Sequence, residues 1–587
     1  MRNFVAAEPG DSFALKKWPW RDLFAAIAIF VATAGFVFWQ NSQIAILWDL
    51  SYLLDISWRI ALGQVPYRDF PMVHPPLTFL IQAGIMRLAG RHYELHVAYA
   101  ALVGGLVTVI GWRINLRTLQ DKVASAWLVS LLLAVPLTVL GIYSVYPHPI
   151  YDSDCAFAIL VALLFLQRLN FQQPSLKRGW RARFAPSLTG AALVLPVFFK
   201  QNMGLPFLLA VFAGILLLLA LHWMRRRFQV EASSAMLLRV LAATAVCSLT
   251  AIALLQITVG LGNYLHWTVQ FAAQRRLPGF ADMVAIYQQP SFVWTLPCVG
   301  GGLLLLCLPL ARRVWGRILA FCLLAAPLLG SIVYLFLNDD LDERSDNLLA
   351  LWPMLLLLAF VVALIELRKG VTLERLMPFF ILAAIHGAFL SQQLWGSTYA
   401  IWPLLMLLVA YMLAAVPDAA RRLVPAQAGV VCATFLACGG LYAIGHERMN
   451  YLQIPDGTVQ RATLPVLRGM ADRGPYLADF EELVRFAEAE IPVRDGILLL
   501  PGEEPFFFAT GRVPQFPVQI FDNTTDPYSP TELFEEARKR NIRWMIVKTR
   551  LQSNEDPLPG RAETLADLRR EFALSRKLAG YDVYLRR

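Results

Sequence analysis

Apolar runs of bilayer length recur along most of this chain, and clusters of lysine and arginine separate them. Leu23–Trp39, Leu205–Leu221, Val240–Val259 and Leu348–Ile365 are examples, each close to the roughly 17–25 residues a helix needs to cross a hydrocarbon core. Only 16% of the 587 residues are charged and 57% are hydrophobic, whereas soluble domains carry about 25% charge. The expectation is a polytopic α-helical membrane protein. No small-residue cleavage site follows Leu23–Trp39, so that run reads as a retained span.

The net charge of +10 points to topology and not to nucleic acid, because basic residues of membrane proteins collect in cytoplasmic loops. The seven cysteines form no CxxC pair and no His/Cys cluster. Zinc-finger and redox chemistry are therefore not indicated, and disulfides are not expected. Placing every basic cluster in the cytoplasm (Lys16–Arg21, Arg113–Lys122, Arg168–Arg183, Arg225–Arg239, Arg312–Arg317, Arg368–Arg375 and Arg421–Arg422) forces the chain between them to cross out and back. Three apolar runs lie between Arg21 and Arg113. The short Pro76–Leu88 is read as a juxtamembrane helix so that the parity holds. This bookkeeping gives about 13 crossings, with the N-terminus inside and the C-terminus outside.

The external loops are then 41–94, 144–154, 263–291, 338–347 and 391–397, and they carry most of the polar chemistry. Residues 1–445 form the membrane domain. From about Tyr451 the hydrophobicity falls, and 446–587 reads as a small extracytoplasmic α/β domain. Its expected elements are a helix at Asp479–Glu490, a strand at Gly496–Leu500 and a helix at Pro530–Arg540 capped by Ser529. A strand at Trp544–Lys548 and a helix at Ala562–Phe572 complete the set. Neither a GxGxxG nor a P-loop is present, so no nucleotide site is expected.

The segment Tyr52–Pro76, preceded by W-D-L at Trp48–Leu50, places carboxylates, arginines and a histidine directly after the first span. Charged residues so close to a membrane mark functional positions. Asp49 and Asp55, with Asp152 and Asp154 of the next external loop, suit general-base work on a hydroxyl or binding of a divalent cation. Asp49, Asp154 and His266 are the metal-ligand candidates, although no HExxH-like spacing supports them. Cations outside the membrane are few. Lys200 at a helix end either snorkels or holds a phosphate, and Arg59, Arg275 and Arg276 are further phosphate candidates.

D-x5-D-x3-R-x3-G-x-x-P-Y-R-D-F followed by H-P-P resembles the first external loop of bacterial GT-C glycosyltransferases. That group includes lipid A aminoarabinose transferases, protein O-mannosyltransferases and the rhizobial galacturonosyltransferase-like enzymes. Tyr67, Arg68, Asp69 and His74 carry the motif. Asp49 stands where the family's catalytic carboxylate falls, Leu50 replaces the Glu that usually follows, and Asp152 or Asp154 matches a second-loop acid. K-Q-N-M-G at Lys200–Gly204, S-Q-Q-L-W-G-S-T-Y at Ser391–Tyr399 and L-P-G-E-E-P in the tail also look like family features.

The resemblance implies a GT-C membrane domain in a bacterial inner membrane, with the tail in the periplasm. It implies inverting transfer of a hexose or pentose from a polyprenyl-phosphate donor to a hydroxyl of an envelope glycan, lipid or protein. Asp49 would be the base, and Lys200 with Arg275 or Arg276 would face the leaving phosphate. No cofactor is certain on this reading, and a divalent metal ion is the one candidate. A transporter or flippase, a polysaccharide ligase and a non-catalytic scaffold are the alternatives. A transporter would show internal repeats and ionisable residues at mid-bilayer depth. A ligase would carry Arg and His in a late external loop, as 263–291 does, and Leu50 keeps the scaffold reading open.

Overall fold

The structure is a computed structural model that describes residues 19–169, 180–225, 232–276, 279–337, 341–390, 400–445, 449, 451–522, 524–558 and 560–587. The first ten helices are α1 Trp20–Asn41, α2 Leu47–Ala61, α3 Leu77–Ala89, α4 Tyr93–Leu119, α5 Ala126–Ala134, α6 Leu137–Leu140, α7 Tyr151–Arg168, α8 Trp180–Phe199, α9 Gln201–Arg225 and α10 Ala232–Thr258. Most of the remainder up to Ile444 is also helical.

Among the described residues, six helices are long and apolar enough to cross a membrane: Trp20–Asn41, Tyr93–Leu119, Gln201–Met224, Ser234–Thr258, Val314–Leu337 and Asp418–Ile444. A pair bent by 60°, Phe280–Tyr287 with Phe292–Cys307, makes a seventh if it is one span. The described residues therefore fall short of the expected 13 crossings. Several apolar runs fold into pieces shorter than a bilayer. Pro136 separates α5 from α6, and α7 spends Asp152, Asp154 and Arg168 within its 18 residues. Helix α3 has 13 residues, about 20 Å at the usual rise.

Small residues let the helices approach closely. A Cβ on Gly105 of α4 would sit 2.6 Å from the Phe30 ring of α1. The charged start of α1 is tied down as well, since Asp22 accepts from Arg113 Nη1 at 3.0 Å and from Trp127 Nε1 at 3.0 Å.

The described residues of the tail hold six strands: β1 Val459–Arg461, β2 Ala471–Arg473, β3 Gly496–Leu500, β4 Ile542–Lys548, β5 Phe572–Lys577 and β6 Tyr581–Arg586. The first two form an antiparallel pair, and the other four make a sheet ordered β3-β4-β6-β5. Within it β3 and β4 run parallel, while β6 is antiparallel to both its neighbours. Helices Tyr476–Glu490, Pro530–Lys539 and Arg561–Glu571 accompany it. The tail and the first-loop helices share one apolar core in which Leu50, Leu54, Phe79 and Met86 meet Phe480, Phe506 and Phe508.

Candidate active site

Helix α2 has two polar faces, and they are used differently. Ser51, Asp55 and Arg59 recur every four residues and so lie on one face. All three are buried, and all three bind the tail. Ser51 Oγ donates to the Gly502 carbonyl at 2.7 Å. Asp55 accepts from the backbone N–H groups of Phe507 (3.2 Å) and Phe508 (2.6 Å) and from Gln519 Nε2 (2.9 Å). Arg59 donates to Gln519 Oε1, Gln64 Oε1 and the Phe516 carbonyl. Gly502 is required for this approach: its φ is +85°, and a Cβ there would lie 2.2 Å from the Gln519 carbonyl oxygen.

Burial pushes the Asp55 carboxyl up to about 8, against the two backbone N–H donors and Arg59, which pull it down. Burial likewise lowers the Arg59 guanidinium to about 9, with Asp55 opposing. These placements change two expectations. Asp55 is fully enclosed in an interface and does not face a surface that an acceptor hydroxyl reaches. Arg59 is committed to the tail and does not point at a donor phosphate.

The flank of α2 beside that buried face carries Asp49 and Tyr52, three residues apart and both partly exposed. Tyr451 from the start of the tail donates its hydroxyl to Asp49 Oδ2 at 2.9 Å. The Tyr52 hydroxyl meets His74 Nδ1 at 2.9 Å, and the His74 ring stacks on Tyr151 with centroids 3.8 Å apart. Lys200 Nζ lies 5.1 Å from the Tyr151 ring centre and forms a buried ion pair with Asp152. A continuous line of contacts thus runs from the α2 face bearing Asp49 to the Lys200–Asp152 pair. Beside Tyr52, a small cleft of about 20 Å³, with Ile56 and Arg59 in its wall, opens between α2, Phe70–Pro71 and tail residues 517–520 and 525.

Local sequence explains how these groups are held. Tyr67 in P-Y-R-D-F takes a left-handed backbone (φ 65°), a strained choice for a bulky residue, costing about 1–3 kcal/mol. Its buried hydroxyl donates to the His74 carbonyl at 2.7 Å, so the motif tyrosine braces the histidine. Arg68 and Asp69 pair with each other on the surface, and Asp69 also accepts from Val65 N at 2.7 Å. Lys200 sits at the elbow between α8 and α9. There a Cβ on Gly204 would lie 2.3 Å from the Pro196 carbonyl carbon, so glycine lets the elbow close.

Asp154 accepts from Thr78 (2.7 Å), Tyr99 (2.8 Å) and Tyr143 (2.7 Å) and is fully buried. His266 faces Gln270 on its own helix. The expected Asp49, Asp154 and His266 ligand set does not assemble, and no group of three His, Cys, Asp or Glu side chains does so among the described residues. No catalytic step is therefore routed through a metal. Arg275 donates to the Asp526 carbonyl of the tail, with its guanidinium 4.5 Å from the Phe271 ring centre. Arg276 ends that helix, and its side chain lies outside the described residues, as does the 391–399 motif.

Sequence reading did not single out Tyr52, Tyr151, Tyr451, Gln552 or the structural role of His148. Tyr52 and Tyr151 had a local signal, standing three residues after Asp49 and directly before Asp152. Tyr451 and Gln552 had none, since their partners lie about four and five hundred residues away. His148 accepts from Ile46 N at 3.2 Å, and its other ring nitrogen lies 3.0 Å from Asn41 Nδ2, which ties the second loop to the start of α2.

Among solved structures, the apo oligosaccharyltransferase of Archaeoglobus fulgidus matches with 12% identity and a TM-score of 0.51, covering 92% of this chain and 70% of that chain. ArnT from Cupriavidus metallidurans in the apo state matches with 12% identity and a TM-score of 0.46, over 95% of this chain and 97% of that one. The same protein bound to undecaprenyl phosphate matches with 13% identity and a TM-score of 0.40, over 97% and 98%. No protein-family profile and no curated protein matches the sequence. The first of these likenesses shows the fold, the GT-C arrangement that the first-loop motif implied.

Proposed function

We propose that this protein is a membrane glycosyltransferase that moves a sugar from a polyprenyl-phosphate donor to a hydroxyl of an envelope glycan, lipid or protein. The observation that carries this reading is the line of contacts joining the Asp49 face of α2 to the Lys200–Asp152 pair. It offers a carboxylate and a cation on one run of packed side chains beside apolar helices long enough to hold an isoprenoid tail in a bilayer.

Asp49 takes the proton of the acceptor hydroxyl as its oxygen attacks the anomeric carbon. The bond to the lipid phosphate breaks on the opposite side in the same displacement, which inverts that centre. Lys200 offsets the negative charge growing on the departing phosphate, and Asp152 holds the ammonium in place before the donor arrives. Tyr52 and Tyr151 flank His74 and give apolar faces with polar tips on which a sugar ring can stack. The donor's tail stays in the bilayer of a bacterial inner membrane, and the chemistry takes place on the periplasmic face beneath the tail domain, residues 446–587.

The test is transfer from radiolabelled polyprenyl-phosphate sugars in membranes, comparing wild type with Asp49→Asn at matched expression. Transfer in wild type and a loss of at least about 100-fold in the variant is the expected result for a general base. Equal transfer by both would remove Asp49 from the chemistry. No transfer from any donor by wild type would overturn the glycosyltransferase reading.

A further inference from the structure

The first N–H groups of a helix have no partner within it, and Ile46, at the N-cap of α2, offers no side-chain acceptor. The tail supplies one. Gln552 is completely buried, and its carboxamide grips the first turn of α2 from both sides. Its Oε1 accepts from Leu47 N at 3.0 Å, and its Nε2 donates to the Ala45 carbonyl at 2.9 Å and to Asp472 Oδ2 at 2.6 Å.

The main chain of Gln552 is anchored in turn. Its N–H goes to Glu503 Oε2 at 3.0 Å and that of Ser553 to Glu503 Oε1 at 2.7 Å. Glu503 and Glu504 both pair with the buried Lys548. The same stretch holds Tyr451: Gln453 N donates to the Gln552 carbonyl at 2.6 Å, and Asn554 N donates to the Tyr451 carbonyl at 2.9 Å. One segment, 552–554, therefore fixes the backbone two residues before Asp49 and also the tyrosine whose hydroxyl binds the Asp49 carboxylate.

We infer that Gln552 is a positioning residue for Asp49, so that the tail domain sets the aim of the base; this rests on the reading of Asp49 given above. Glutamine is the side chain the geometry needs, because the position must donate and accept at once. A glutamate would lose the donor to Ala45 and would face Asp472 with a like charge. Exchanging the roles, with Gln552→Glu and Asp472→Asn together, restores a donor and acceptor between the two positions. The carboxamide nitrogen introduced at position 472 then donates to the new carboxylate, and the carboxamide oxygen can still accept from Arg473 N as Asp472 Oδ1 does.

The experiment uses full-length protein in detergent with the most active radiolabelled donor. Transfer kinetics are measured for wild type, Gln552→Glu, the exchanged pair, Asp49→Asn and Gln552→Glu with Asp49→Asn. Hydrogen exchange of the peptide covering residues 45–52 is followed alongside. Gln552→Glu should speed that exchange and lower kcat by roughly 10- to 100-fold, the scale of a small misplacement of a reacting group, with little change in KM for the donor. The exchanged pair should recover part of kcat. Adding Gln552→Glu to Asp49→Asn should cost little more, because residues acting as one unit are not additive.

Unchanged exchange at 45–52, unchanged kcat, or full additivity with Asp49→Asn would each overturn the inference while wild-type transfer leaves the glycosyltransferase reading standing. If Gln552→Glu does not fold, the exchanged pair carries the comparison, and failure of that pair to regain either protection or kcat overturns the inference. Absence of transfer by wild type would instead bring down the functional reading, and the positioning role with it.

Discussion

Asp49 and Asp55 lie six residues apart on one helix and meet opposite surroundings. Asp55, enclosed by N–H donors of the tail, keeps its proton more tightly folded than unfolded, because burial raises it from 3.8 to about 8. A group raised in this way contributes stability fully at acidic pH, below its unfolded value, and loses it as pH climbs through the folded value. Thermal midpoints in detergent should therefore fall between about pH 4 and about pH 8, and Asp55→Asn should flatten that part of the profile. A wild-type midpoint constant over that range would contradict this assignment.

The Lys200–Asp152 pair gives a second prediction at this scale. Removing one member of a buried pair strands the other charge, which costs about 3–5 kcal/mol. Asp152→Asn alone should reduce the folded yield. Asp152→Asn with Lys200→Met should recover the yield in size-exclusion profiles and still lack transfer, since the cation is gone.

At the scale of elements, the elbow between α8 and α9 and the packing of α2 decide where the proposed site sits. The elbow closes because Gly204 leaves room for the Pro196–Val197 backbone. Gly204→Ala must push that backbone aside and should lower both the melting midpoint and transfer. Gly429→Ala is the matched control, since a Cβ there meets nothing within 4 Å, and its effect should stay within about 0.5 kcal/mol. Equal melting curves for the two variants would remove the elbow from the account.

In the tail, elements with strong local signals were legible. The buried strand Gly496–Leu500 is observed over the residues expected. Ser529 caps its helix through a capping box with Glu532, and the remaining expected elements agree within three residues at either end. Strands β5 and β6 were not legible. Most of β5 is exposed at a sheet edge, so its sequence F-A-L-S-R-K carries no alternating apolar pattern to read.

For the molecule as a whole, α2 joins the helical body to the tail through a shared apolar core and buried hydrogen bonds. Arg59→Ala removes a buried guanidinium from Gln519 and the Phe516 carbonyl and leaves those acceptors unsatisfied, each costing about 1–3 kcal/mol. The expected outcome is faster proteolytic clipping of the tail with the membrane body still intact. Sidedness is tested separately by a membrane-impermeant thiol reagent on single cysteines introduced into a variant lacking the seven native ones. A cysteine at exposed Arg576 should label from the periplasmic face, and one at Lys369 should not. The reverse pattern would invert the topology and move the proposed chemistry to the cytoplasm.

Composition and run length alone determined that the chain is a bundle of membrane-type helices with a mixed tail, because apolar length and periodicity are local properties that no distant contact can hide. The candidate groups Asp49, Lys200, Asp152 and His74 could be named for a similar reason, since a charge or an imidazole beside an apolar span is conspicuous in one dimension. Only the tertiary structure separated Asp49 from Asp55, turned Arg59 toward the tail and set Gln552 against the first turn of α2. Each of those outcomes depends on a partner hundreds of residues away, and a hydrogen bond across that distance leaves no periodic trace in either segment. The count of about 13 spans is not confirmed, for the complementary reason. Proline breaks and clustered charges decide whether an apolar run becomes one long helix or two short ones, and that choice is made by the packing around them.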